Sequence, residues 1–166
     1  NDLAVAEGAA FDALGERCTV GALTGTGTLS NGVIAVVGTL DPGTNGAPAG
    51  AAMTVQHLAL TGGAVLACPW STNSLGQITC DSVAVTGSLT VEGPGCFDLG
   101  STEAAPIPMP FSLTVMTYGS FSGSFAGWKA VNTGLPEGKA TTTLVETAAG
   151  QVTLHVRYSG TLLLVQ

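Results

Sequence analysis

The chain has 166 residues, 45% of them apolar and only 9% charged, with a formal net charge of −7. Soluble domains average about 25% charged residues, and their helices fill the solvent face with Glu, Lys and Arg. A mainly helical globular protein is therefore disfavoured, and Thr, Ser, Asn and Gly must supply the polar surface, as they do on pleated sheets and in turns. The four basic residues, Arg17, Lys129, Lys139 and Arg157, assemble no basic patch, which argues against nucleic acid or an anionic membrane surface as partner.

The length suits one domain able to bury roughly 70% of its unfolded surface. Every apolar run is short and broken by Gly, Thr or Pro, so no membrane-spanning helix is expected. The first residue is Asn1 and no signal-like segment opens the chain, which reads as a processed product or an excerpt of a longer polypeptide.

In chain order, residues 1–17 come first as an N-terminal helix or cap. Asp2 can cap a helix over residues 1–16, with Leu3, Phe11 and Leu14 as its apolar positions and Ala filling the rest. From Cys18 to residue 105 the texture is strands and turns. Residues 54–62 (TVQHLALTG) and 79–87 (TCDSVAVTG) match at an offset of 25, and the strand starting at Ile34 matches that starting at Leu58 at an offset of 24. Each unit alternates with period two and ends at a glycine corner. Such a repeat predicts a β-solenoid with about 24–25 residues per coil, its coils stacked in parallel so that equivalent inward side chains form ladders. The expected ladders are Ile34/Leu58/Val83, Val36/Leu60/Val85 and Leu40/Ala64/Leu89. A β-sandwich is the alternative.

Residues 106–166 read differently. Pro106, Pro108 and Pro110 make an extended spacer. The alternating segments after them suit an antiparallel C-terminal β cap that covers the exposed cross-section of the last coil.

Four cysteines, Cys18, Cys68, Cys80 and Cys96, fit neither zinc nor haem spacing. Their even number predicts two disulfides in an oxidising compartment. Three connectivities are open; Cys68–Cys80 would staple the loop between them and Cys68–Cys96 would join adjacent coils.

The stretches LTGTGTLSNGVIAVVGTLDPG, LALTGGAVLACPW and DSVAVTGSLTVEG, and later YGSFSGSFAGW and GLPEGKATTTLVETAAGQVTLHV, resemble the autotransporter-associated β-strand repeat over roughly residues 22 to 158. The resemblance implies a right-handed parallel β-helix of a bacterial surface or secreted protein, used as stalk, adhesin passenger or scaffold. The family brings no common catalytic residues. The chain departs from it in its four cysteines and in showing no membrane-barrel segment, which bears on autotransport rather than on the coils.

Chemistry-bearing residues are sparse. His57 and His155 sit in strand alternations, and no G-x-S-x-G elbow occurs: in GSFSG, Phe121 holds the nucleophile's place. The acidic residues are scattered, without a calcium-loop pattern; Asp81, Glu92 and Asp98 are the candidates for facing carboxylates of the kind glycoside hydrolysis needs. No catalytic residue, metal site or cofactor is assigned. Trp70, after Cys68 and Pro69, reads as a cover over a coil corner or as an anchor for a partner, and Trp128 as core of the cap.

The expected function is a non-catalytic structural subunit of an extracellular appendage, filament or surface layer, with copies of itself as partners. Self-assembly is expected through the chain ends: Leu3, Val5, Phe11 and Leu14 at one, Leu162, Leu163, Leu164 and Val165 at the other, where no charge blunts the final strand. A carbohydrate- or host-binding adhesin domain is the alternative, and a polysaccharide-degrading β-helix enzyme ranks third.

Overall fold

Alternation of apolar and small polar residues puts the chain into strands almost from its first residue. The computed structural model describes residues 1–43, 49–72, 77–100, 110–132, 141–148 and 150–158. Among these the first strands are β1 (Leu3–Val5), β2 (Ala10–Asp12), β3 (Arg17–Gly25), β4 (Thr28–Asp41), β5 (Ala52–Leu60), β6 (Val65–Ala67) and β7 (Trp70–Thr72). They are followed by β8 (Ile78–Cys80), β9 (Ser82–Val91), β10 (Cys96–Asp98), β11 (Phe111–Gly123), β12 (Lys129–Val131), β13 (Thr141–Ala148) and β14 (Gln151–Tyr158). β7 and β8 form a small antiparallel hairpin, and the others join one curled, mixed sheet, a half-barrel.

The pairing runs along three lines. One passes from β2 through β4, β5 and β9 to β11, all parallel, and finishes with antiparallel β14 and β13. A second joins residues 17–20 of β3 to 33–36, 57–60, 89–91 and 121–123. The third runs β1–β3–β4–β6–β10–β12 and is parallel throughout.

Parallel pairing in register brings like side chains together on the inner face. Leu23, Leu40, Leu66 and Phe97 are partnered in turn along the third line, and all four are fully buried. Each buried side chain of this size contributes about 2 kcal/mol of transfer free energy. Chain corners approach so closely that a side chain has no room at some of them. At Gly25 (φ 108°) and Gly123 (φ 94°) a Cβ would collide with the carbonyls of Val5 and Val91, in a backbone conformation glycine adopts readily.

Three expectations are corrected. The N-terminal helix is absent: residues 1–17 hold β1 and β2, with Gly8 at φ 72°, Gly15 at φ 83° and Leu14 at φ 54° breaking any helical path. The helix propensity of alanine is a weak prior, and parallel pairing with β3 and β4 outweighs it. The second correction concerns register. Ile34 pairs with Leu58 and Val36 with Leu60 as expected, but Leu58 pairs with Leu89 and Leu60 with Val91, while Val83 and Val85 face Met53 and Val55. Leu40 pairs with Leu66, not Ala64. The motif LAL/VAV occurs on two lines, and the constant spacing matched one line to the other. Third, β11 and β12 are parallel to β9 and β10, so residues 111–131 continue the parallel lines and the antiparallel addition is only β13 and β14.

Candidate functional site

The largest aromatic concentration lies where the lines end. Phe97, Tyr118, Phe121, Phe125 and Trp128 form a chain of ring contacts with centroids 4.9–5.8 Å apart. Trp128 is buried, its indole Nε1 donating to the Gly93 carbonyl at 2.8 Å, and Gly95 leaves space for its ring. Over this cluster, between it and β13, opens a cavity of about 370 Å³ lined by Phe121, Ser124, Phe125, Trp128, Val145 and Thr147. No charged side chain lines it among the described residues, and Ser124 and Thr147 border the rings, which suits a neutral occupant carrying both apolar and hydroxyl groups. The phenylalanines carry this site, and sequence reading passed over them; their spacing in GSFSGSFAGW was the available signal.

A second polar concentration surrounds the β7–β8 hairpin. Asp81 is 3% exposed. Its Oδ1 accepts the amide protons of Gly50 at 2.7 Å and Ala51 at 2.8 Å. Burial raises its pKa above the ordinary value, the two amides oppose that shift, and neighbouring Asp41 adds to it. Asp41 itself closes the Asp41-Pro42-Gly43 turn by accepting the Gly43 amide at 3.0 Å. Cys68 is fully buried, and burial, reinforced by Cys80, Asp81, Asp98 and Asp41, pushes its thiol well above the usual range. Cys80 is pushed to about 11 by burial and then by Asp81; Cys96 is also raised, by burial and Asp98. All four cysteines are free thiols here. At Cys68, Cys80 and Cys96 the environment disfavours thiolate, the form that reacts or binds metal. Among the described residues no group of three or more His, Cys, Asp or Glu side chains is arranged to hold a metal ion.

Two serine–histidine contacts link adjacent strands. Ser88 Oγ lies 2.8 Å from His57 Nδ1, and Ser112 Oγ lies 2.8 Å from His155 Nδ1. The Ser88 amide also donates to His57 Nδ1, at 3.0 Å. An amide can only donate, so this nitrogen's single lone pair is already engaged and is poorly placed to take a hydroxyl proton. Among the described residues no carboxylate bonds His57. The contact is a cross-strand tie. Glu92, one of the scattered acids, is held by Arg17 at 2.9 Å across 75 residues.

Trp70 is 1% exposed, its ring 4.9 Å from that of Phe111. It covers the corner from inside, and its indole is not presented at the surface as an anchor would be. Of the N-terminal candidates, Val5 is buried, Leu3 and Phe11 are half-buried, and Leu14 is 77% exposed. Leu162, Leu163, Leu164 and Val165 lie outside the described residues.

Comparison with known proteins returns no matching family model, no matching curated protein and no matching solved structure.

Proposed function

We propose that the chain is a non-catalytic structural subunit of an extracellular appendage, filament or surface layer, built as a right-handed β-solenoid and joined to copies of itself through its ends. One observation carries this reading. The series β1–β3–β4–β6–β10–β12 is parallel throughout, and among the described residues its first and last strands each have one edge with no strand beside it. Stacked coils depend only on their neighbours, so an open end is a template for another coil or another chain. Parallel crossovers are almost always right-handed, which sets the hand of the proposed coil. The low charge and Thr/Gly-rich surface support an exported, surface location.

Sedimentation and electron microscopy of the native purified protein test the proposal. Linear polymers or ordered arrays that grow with concentration are expected; a monomer at every attainable concentration, with no ordered assemblies on the grid, would overturn it. A second reading, a glycan-binding adhesin domain, is favoured by the neutral aromatic cavity. It predicts a monomer that binds neutral sugars on an array and loses that binding on Phe121→Ala.

A further inference from the structure

The cavity beside the aromatic chain is shaped by one corner of the backbone. At Gly123 (φ 94°) the chain leaves β11, because a side chain there would collide with the Val91 carbonyl. At Gly127 (φ 86°) it turns back, and the Trp128 amide donates to the Phe125 carbonyl at 3.0 Å. The Ala126 amide donates to Ser124 Oγ, also at 3.0 Å, so the corner is tied twice. Its rings are held as firmly. Phe121 and Phe125 lie 6° from parallel at 5.8 Å, and Trp128 stands edge-on to Phe125 at 5.0 Å. The indole N–H is committed to the Gly93 carbonyl, so Trp128 offers an occupant only its ring. A core that serves stability alone packs to crystal density. Here fixed rings border an open space of about 370 Å³, with Val145 and Thr147 of β13 across from them.

The chemistry of the wall sorts the occupants. A purely apolar guest would cover the Ser124 and Thr147 hydroxyls without giving them a partner, at a cost for each polar group taken from water. One lone pair of Ser124 Oγ is engaged by the Ala126 amide, which leaves its proton and its second lone pair for a ligand. An anionic guest meets the wrong field. The nearby strands β10, β12 and β13 carry Asp98, Lys129 and Glu146, two acids to one base, and the chain as a whole has a net charge of −7. A cation finds no carboxylate on the wall among the described residues. What fits is a neutral molecule with a flat apolar face and a rim of hydroxyls that both donate and accept. A pyranose has that form: its C–H face covers an aromatic ring while its hydroxyls point outward to the rim. The volume lies near the lower limit of ligand cavities, about 300–1,000 Å³, which suits one or two sugar rings and not a long polymer.

We infer that this cavity binds the neutral pyranose at the end of a glycan, stacked on Phe121 and hydrogen-bonded through Ser124 and Thr147. The inference rests on the glycan-binding reading above and names its ligand and contacts; it does not depend on self-assembly.

Ligand-observed NMR on the whole chain tests it. The neutral probes are methyl β-glucopyranoside, methyl β-galactopyranoside and methyl α-mannopyranoside, with methyl β-glucuronide as the anionic control and benzene as the apolar one. At least one neutral pyranoside should bind with a dissociation constant of about 1 mM, the scale of a ligand this small, and both controls about tenfold more weakly or not at all. Phe121→Leu keeps apolar bulk but removes the flat face, so sugar binding should fall about tenfold. Thr147→Val keeps the shape at an exposed position and removes the hydroxyl. It should weaken sugar binding about fivefold while benzene binding holds or rises; a merely structural Thr147 would move neither. Thermal unfolding checks both variants, and if Phe121→Leu fails to fold, Thr147→Val decides. The site is overturned if no neutral pyranoside binds, if benzene or the glucuronide binds more tightly, or if sugar binding is unchanged in the folded variants. Sedimentation of the same samples keeps the readings apart. Polymers that bind no sugar remove the site and leave assembly standing, whereas a sugar-binding monomer keeps the site and removes assembly.

Discussion

Asp81 shows how a single residue carries the tension between burial and charge. Its Oδ1 accepts from the backbone amides of Gly50 and Ala51, yet burial raises its pKa. The folded chain therefore holds this proton more tightly than the unfolded chain does. The stabilisation tied to it is fully present below the ordinary carboxylate pKa and is lost as pH rises through the raised one. Asp81→Asn keeps the acceptor and removes the charge. Denaturant titrations across the acidic range should find it at least as stable as the wild type near neutrality, with that part of the pH dependence gone. Asp81→Ala strands both amides and should cost about 1–3 kcal/mol. The thiols obey the same burial rule. With Cys80 at about 11, roughly one molecule in a thousand carries its thiolate at about pH 8. Alkylation of the native protein should leave Cys68 and Cys80 unmodified under conditions that label them fully in denaturant; rapid native labelling of either would contradict the burial described for this corner.

At the scale of elements, the β7–β8 hairpin lies between β6 and β9 and lengthens the connection from Leu58 to its partner Leu89 relative to that from Ile34 to Leu58. Its anchor is Trp70, packed on Phe111 with the indole N–H unpaired and buried. Trp70→Ala opens a cavity and should cost about 3–5 kcal/mol in chemical denaturation. Trp70→Phe loses part of the ring but also removes a buried donor without a partner, a penalty of about 1–3 kcal/mol, so its cost should be far smaller. Equal losses in the two variants would mean that the indole N–H is paired in solution. How legible an element was depended on its neighbours. The alternation of β4 and β5 and their mutual register could be read because both strands present apolar residues at every second position to the same interior. β1 could not: Leu3 and Val5 also alternate, but three residues surrounded by alanine carry too little pattern to outweigh helix propensity.

For the molecule as a whole, the parallel lines make stability uneven. β4 and β5 have partners on both sides, whereas β1 and β2 each have one. Native-state hydrogen exchange should accordingly protect the β4 and β5 amides most and release those of β1 and β2 first. Uniform protection from end to end would show that the first strands are covered, as assembly through that end requires. Comparing dilute and concentrated samples therefore links the exchange pattern directly to the proposed self-assembly.

Composition and periodicity were enough to determine an all-β chain with glycine corners, apolar ladders and few charges, because alternation and charge density are local properties that any sheet must satisfy. The first step of the ladder, Ile34 to Leu58, could also be read, since the alternating strands on either side of it pair in the register their spacing gives. The tertiary structure decided the rest. It set the register of Leu58 against Leu89, because the inserted hairpin lengthens that connection and only spatial pairing fixes where the chain returns. It decided that residues 3–5 and 10–12 are strands, because a neighbouring edge supplied hydrogen bonds that propensity does not foresee. It also gathered Phe121, Phe125 and Trp128 around one cavity, with Phe97 packed behind them, and left Leu14 in the open. Both are consequences of three-dimensional packing; the spacing in GSFSGSFAGW flags the aromatic residues but not the cavity they line.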